Sequence, residues 1–198
     1  ASFIELDVTG VRVKLRECRQ QKEPISFFAW LIKAISLSIA RHPTVAAYRK
    51  GRRGLVVFSD INISVAVEKE VNGTKVPIPL VIEKASEKTV VEITRQISEA
   101  KTQLLSGKDI VLQKKTNRIE TLYFLLPGFV RRLFWHFLLK NPHFAFRKMG
   151  NVAVTSVGGQ GGINAWFVPI SVHPVCFGIG DIVKKPVVIS EKVEIREM

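Results

Sequence analysis

Four histidines and two cysteines are the side chains of this chain best suited to nucleophilic or metal chemistry. One of each stands in ISVHPVCFGIGDIVKKPVV, with His173 and Cys176 three residues apart. Such a pair could activate a thiolate, supply half of a metal site, or simply lie in a buried strand. The neighbours Val175, Phe177 and Ile179 are apolar and no partner motif accompanies them, so strand packing is the expectation for Cys176. His42, before Pro43, reads as a helix terminus, and His136 and His143 lie among aromatic residues as packing or interfacial groups. Paired carboxylates, zinc-ligand spacings and an H-E-x-x-H motif do not occur. The glycine-rich SVGGQGG loop, Ser156 to Gly162, could expose backbone N–H groups. A phosphate cradle of that kind opens directly into a helix, whereas the residues that follow here, INAWFVPISV, are β-like. A tight inter-strand loop is expected instead.

Charge narrows the partners. The chain of 198 residues is 46% hydrophobic, enough for one substantial core, and carries a formal net charge of +13. A balance of that sign calls for an anionic partner: nucleic acid, a phosphorylated cofactor or an acidic membrane leaflet. The basic segments are scattered and not interleaved with stacking aromatics, which argues against nucleic acid. Cys18 and Cys176 are too few for a disulfide framework, and favour a cytosolic chain with reduced thiols. No uninterrupted apolar run reaches the length of about 18 residues that a spanning helix needs. No secretory signal is read at the start, and Ala1 in place of an initiator methionine is consistent with a trimmed beginning.

The elements that must position these residues follow from periodicity. ASFIELDVT, with Phe3, Ile4, Leu6 and Val8, reads as a strand, and GVRVKLRECRQQK as a helix with Val11, Leu15 and Cys18 inward. Pro24 is placed as a first helical residue ahead of ISFFAWLIKAISLSIARH, which is apolar nearly all round and so a buried helix. RKGRRG is a basic turn, and LVVFSDINISVAVE reads as strand, turn, strand, with Ile61, Ile63, Val65 and Val67 on one face. VNGT carries the Asn-Gly turn signal, and the two prolines of KVPIPLVIE confine that strand to a sheet edge. In TVVEITRQISEAKTQLLSGK, Thr89 and Glu92 form a capping box, Val90, Ile93, Ile97, Ala100 and Leu104 form a stripe, and Gly107 ends the helix. From Asn151 onward NVAVTSV, AWFVPISV, VCFGIGDIV, VVIS and KVEIR all read as strands. Helices among early strands and a β-rich end indicate an α+β class with a largely buried mixed sheet.

Taken in order, these segments resemble the catalytic core of the dihydrolipoamide acyltransferases of 2-oxo acid dehydrogenase complexes. The likeness runs through ISFFAWLIKAISLSIARHPTVAAY, DINISVAVE, VPIPLVIEKASEKTVVEITRQISEAKTQLLSGK and NVAVTSVGGQGGINAWFVPISVHPVCFGIGDIVKKPVV. It covers most of the chain. The resemblance implies a chloramphenicol acetyltransferase-like two-layer sandwich with a mixed sheet and flanking helices. It further implies a homotrimer, or a higher assembly of trimers, with sites between subunits, and acyl transfer between coenzyme A and a dihydrolipoyl-type thiol or another nucleophile. The positive charge suits a coenzyme bearing several phosphates. The family's oxyanion-stabilising hydroxyl falls on Thr155, with Ser156 beside it. His173 and Pro174 stand where the family has an Asn-Pro-type step, so His173 is not its general base.

Three departures qualify the resemblance. The family's base lies in an H-x-x-x-D-G motif expected after KVEIREM, and no such motif occurs in the 198 residues. No lipoyl domain or lipoyl attachment precedes the core, which suggests a single free-standing domain over 1–198, without a metal. Finally, residues from about 117 to 149 look like an insertion rich in aromatics and bases, among them Tyr123, Phe124, Phe129, Arg131, Arg132, Phe134, Trp135, Phe137, Lys140, Phe144, Phe146, Arg147 and Lys148. Pro127 and Gly128 divide it. An interfacial helix on anionic lipid, a lid over an acyl channel, an oligomer contact and additional core all suit it. A cytoplasmic enzyme, peripheral to a membrane in the lipid version, is the expectation; a catalytically silent scaffold that keeps the fold is the alternative.

Overall fold

The alternation of Ile61, Ile63, Val65 and Val67 builds the centre of the molecule. In the computed structural model all four are buried, on β3 (Ile63–Val71) and the turn leading into it. The structure describes residues 1–20, 25–71, 74–102, 127–157 and 166–198. Before β3 come α1 (Thr9–Gln20), α2 (Phe27–Arg41), a 3-10 turn (Pro43–Ala46) and the short hairpin of β1 (Tyr48–Lys50) and β2 (Gly54–Val56). After it come β4 (Thr74–Ile82), α3 (Val90–Thr102), α4 (Gly128–Lys140), α5 (Pro142–Met149), β5 (Val152–Ser156), β6 (Val175–Ile179), β7 (Lys184–Ile189) and β8 (Lys192–Glu197).

The main sheet has the order β4-β3-β5-β6. β3 and β4 are antiparallel, with Ala66 opposite Pro79, while β3, β5 and β6 run parallel. The prolines of β4 sit on an edge strand, where a missing N–H costs no central ladder bond. Helices α2 and α3 cover one face: Ala29, Ile32, Ile35 and Ile39 of α2 and Ile93 and Ile97 of α3 pack with Ile63, Val65, Val152 and Val154 into one core. Both helices begin on side-chain caps. The Ser26 hydroxyl accepts from the Ala29 N–H at 3.0 Å, and Thr89 and Glu92 cap α3 reciprocally, the Thr89 N–H donating to Glu92 at 2.7 Å and the Glu92 N–H to Thr89 at 3.2 Å. The result is an α+β sandwich of a mixed sheet with flanking helices.

Some expectations change. Residues 1–8 form no strand; Phe3, Ile4 and Leu6 are exposed and only Val8 is buried, its N–H donating to the Glu197 carbonyl at 2.9 Å. Adjacent Phe3 and Ile4 break a period-2 pattern, and without a paired neighbour β-propensity alone does not hold a strand. AWFVPISV is likewise not a strand over its described residues 166–172. Pro169 withholds a ladder donor, and the segment instead crosses β6 (below). Helix α1 buries none of its residues; it is held at β8 by Arg12 and Arg16, 3.0 and 3.5 Å from Glu197. Helix α2 is buried on one face rather than all round, with Leu37 exposed. Pro24, Leu104, Gly107, Tyr123 and Phe124 lie outside the described residues, as do the side chains of Phe134, Trp135, His136 and Phe137.

Candidate active site

Three parallel strands end on the same side of the sheet, the place where α/β architectures present ligands. Thr155 and Ser156 are the last two residues of β5 there. Thr155 pairs with Gly178 and Ser156 with Ile179 on β6, and the Val157 N–H donates to the Ile179 carbonyl at 3.2 Å. Val152 and Val154 point into the core, so Ala153 and Thr155 face away from it, on the side of Cys176 and Gly178. Thr155 is half-buried and Ser156 exposed. The backbone in front of Thr155 is crowded on one flank. A Cβ at Gly178 would stand 2.9 Å from Pro169 Cδ and 3.0 Å from the Phe167 ring. The extended chain at 166–171 therefore lies against β6 and walls the surface beside Thr155. The GGQGG loop that follows lies outside the described residues.

The two residues that first suggested an active site serve a different purpose. His173 Nε2 is 2.9 Å from the Met149 carbonyl oxygen and Nδ1 is 2.6 Å from Ser171 Oγ. A carbonyl can only accept, so the proton sits on Nε2 and Nδ1 accepts from the serine hydroxyl. Burial holds the His173 pKa below the ordinary histidine value, partly opposed by the bond to Met149. Both ring nitrogens are thus committed, and the ring clamps the 171–173 turn to the end of α5. Burial pushes the Cys176 thiol up, against the lowering influence of a hydrogen bond to Ser171; it is a protonated, half-buried strand residue, as expected. Both cysteines are free. His143 packs edge-on to Phe58 at 5.4 Å, the packing role among those expected for it. Among the described residues no group of three or more His, Cys, Asp or Glu side chains could hold a metal.

A buried polar joint at the opposite end of β5 was not foreseen. Asn151 Oδ1 accepts from the Asn62 N–H at 2.9 Å, Asn151 Nδ2 donates to the Asp60 carbonyl at 3.2 Å, and Asn62 Oδ1 accepts from the Lys84 N–H at 2.9 Å. Tyr48 Oη donates to the Gly150 carbonyl, and burial raises its pKa to about 12, so it remains a donor. This network sets where β5 begins relative to β3, and hence where Thr155 ends up. The available signal was an asparagine at the start of each apolar strand, in DINIS and GNVAV.

Comparison with known proteins decides the family. Residues 3–111 match the model of the 2-oxoacid dehydrogenases acyltransferase catalytic domain, more than half of the 198 residues. The chain belongs to this family. Its acyltransferase-domain relatives include the dihydrolipoyllysine-residue acetyltransferase component of the pyruvate dehydrogenase complex of Mycoplasma pneumoniae, 28% identical over 140 residues, 70% of this chain and 33% of the relative. The chain thus spans about a third of the length of that curated protein. Solved acyltransferase structures share the fold. The probable dihydrolipoamide acetyltransferase of Listeria monocytogenes matches with a TM-score of 0.63 at 23% identity, over 98% of this chain and 69% of that one. A dihydrolipoamide acetyltransferase of Azotobacter vinelandii, solved to examine a serine, a histidine and an asparagine in its catalytic mechanism, matches with 0.63 at 14%, over 96% and 65%. The sandwich is therefore the chloramphenicol acetyltransferase-like fold of these cores. Thr155 lies beyond the segment matched by the family model.

Proposed function

We propose that this protein is a coenzyme A-dependent acyltransferase of the 2-oxoacid dehydrogenase type, moving an acyl group between coenzyme A and a dihydrolipoyl-type thiol. Membership of the acyltransferase family over residues 3–111 carries this reading. A hydroxyl at the open end of the parallel strands supports it. In the reaction the acceptor sulfur attacks the thioester carbonyl, and the carbonyl oxygen gains the charge of a tetrahedral intermediate. The Thr155 hydroxyl donates to that oxyanion; collapse then expels the coenzyme A thiolate and forms the new thioester. The acceptor thiol must lose its proton to a base. His173 cannot be that base, because its Nε2–H is spent on Met149 and its Nδ1 on Ser171. The proposal therefore assigns the hydroxyl, with Ser156 as the neighbouring residue, and leaves proton removal to the H-x-x-x-D-G type of histidine that the family resemblance calls for.

The test is thiol release by the full-length protein, given acetyl-coenzyme A and dihydrolipoamide. Turnover is expected. Thr155→Val should lower kcat on the order of 10²-fold with KM little changed, because the oxyanion exists only in the transition state. Thr155→Ser should keep most of the activity. Absence of turnover with any thiol acceptor would overturn the enzyme reading in favour of a silent scaffold.

We further propose that the active form is a trimer or a larger assembly of trimers. A related core is described as the cubic core of the pyruvate dehydrogenase complex. The stripe of Trp166, Val168, Ile170 and Val172, all exposed, with Phe3 edge-on to Trp166 at 5.1 Å, supports contact with a second copy. The two unpaired cysteines suit a reducing, cytoplasmic compartment.

A further inference from the structure

Helices α4 and α5 carry a surface that neither the acyl-transfer reading nor the trimer accounts for. On α4, Phe129, Arg132, Leu133 and Lys140 recur at helical spacing on one side, and all are exposed, Phe129 by 73% and Leu133 by 66%. On α5, His143, Phe144, Arg147 and Lys148 are exposed together. The opposite side of α5 buries Pro142 and Ala145, and Phe146 stacks on Phe58 at 3.9 Å. One side of α5 is thus fixed to the body while the other is left outward.

Charge on this face is one-sided. No aspartate or glutamate occurs between Glu120 and Asp181, whereas Arg131, Arg132, Lys140, Arg147 and Lys148 all fall in that interval. No ion pair involves any of these five among the described residues. Ion pairs occur elsewhere, as in Arg12 with Glu197, Arg95 with Glu99 and Arg196 with Asp7, although Arg49, Lys50, Arg52 and Arg53 of the β1–β2 hairpin also form none among the described residues. Exposed large apolar side chains set among unneutralised cations are complementary to a negatively charged bilayer surface. They are not complementary to this protein's own surface, which is itself strongly positive at +13. Helix α4, at 13 residues, extends about 20 Å, too short to cross a hydrocarbon core of roughly 30 Å. No described helix is long and apolar enough to do so.

We propose that the outward face of α4 and α5 docks on the surface of an anionic phospholipid bilayer. Phe129, Leu133 and Phe144 enter the headgroup boundary, and Arg132, Lys140, Arg147 and Lys148 meet lipid phosphates.

Co-sedimentation of the full-length protein with vesicles tests this, using phosphatidylcholine alone and equal parts phosphatidylcholine and phosphatidylglycerol. Pelleting is expected with the anionic vesicles only, falling as salt rises. Arg132→Gln and Lys148→Gln should each weaken binding about fivefold. Phe129→Ser with Leu133→Ser should weaken it about tenfold or more, with circular dichroism unchanged because both side chains are exposed. Lys14→Gln with Arg19→Gln, on the exposed side of α1, should change binding little. Three outcomes would overturn the proposal: no pelleting with anionic vesicles, an equal loss from the α1 variants, or a Phe129/Leu133 variant that lowers the oligomeric mass while vesicle binding persists. The last would make the face a contact between copies.

Discussion

At Gly150 the backbone adopts φ +77°, and a Cβ there would stand 2.3 Å from the Asn62 carbonyl oxygen. Gly150→Ala therefore combines a left-handed backbone penalty with a clash against main chain. The expected cost is about 2–5 kcal/mol, a drop in Tm of roughly 5–15 °C, measurable by calorimetry. His173 supplies a prediction in pH. Its pKa is held down in the folded protein, chiefly by burial, so the unfolded chain binds the proton more readily. The contribution is present above the ordinary histidine value near 6.5 and is lost as pH falls through the lowered folded value. His173→Gln keeps a donor toward Met149 and removes the titration. Chemical denaturation should therefore show wild-type stability falling more steeply than the variant's below about pH 6.5; parallel curves would refute this. The inertness of Cys176 was legible, because its neighbours are apolar. The partners of His173 were not, because Met149 is 24 residues away in sequence and meets the ring only across α5 and β6.

Among the elements, α2 and α3 show how much local pattern can carry. The capping box at Thr89 and the stripe of Val90, Ile93, Ile97 and Ala100 predict α3, and the folded helix follows them. Ser26→Ala removes the hydroxyl that accepts from Ala29 and should cost about 1 kcal/mol, read as a shift in denaturant midpoint with an unchanged slope. At β6, Gly178→Ala would drive a methyl into Phe167 and Pro169. It should displace the 166–171 segment, at about 1–3 kcal/mol, and reduce acyl transfer together with stability. The opening FIELDV shows the limit. Its composition is β-like, yet it joins no strand ladder among the described residues; the Val8 N–H bond to the Glu197 carbonyl is an isolated contact with β8, and β-propensity without a ladder holds no strand.

For the molecule as a whole, exposure separates folding from assembly. Ile170 is 100% exposed, so Ile170→Asp should leave the stability of an isolated subunit within about 0.5 kcal/mol. In a trimer the same change would bury a charge. Light scattering should then give a mass near three times 22.2 kDa for the wild type and a single-subunit mass for the variant; an unchanged mass would remove the stripe from the interface. By itself the sequence determined the class of fold, the two core helices, the edge position of β4 and the family. Each of these rests on local periodicity, on capping chemistry or on motif order, which are properties of neighbours along the chain. Only the tertiary structure decided that residues 166–171 wall the sheet beside Thr155, that His173 is a clamp, and that Asn62 and Asn151 set the start of β5. Those outcomes depend on buried polar groups finding partners far apart in sequence, and the energetic demand that such groups be satisfied does not say in advance which partner will be within reach.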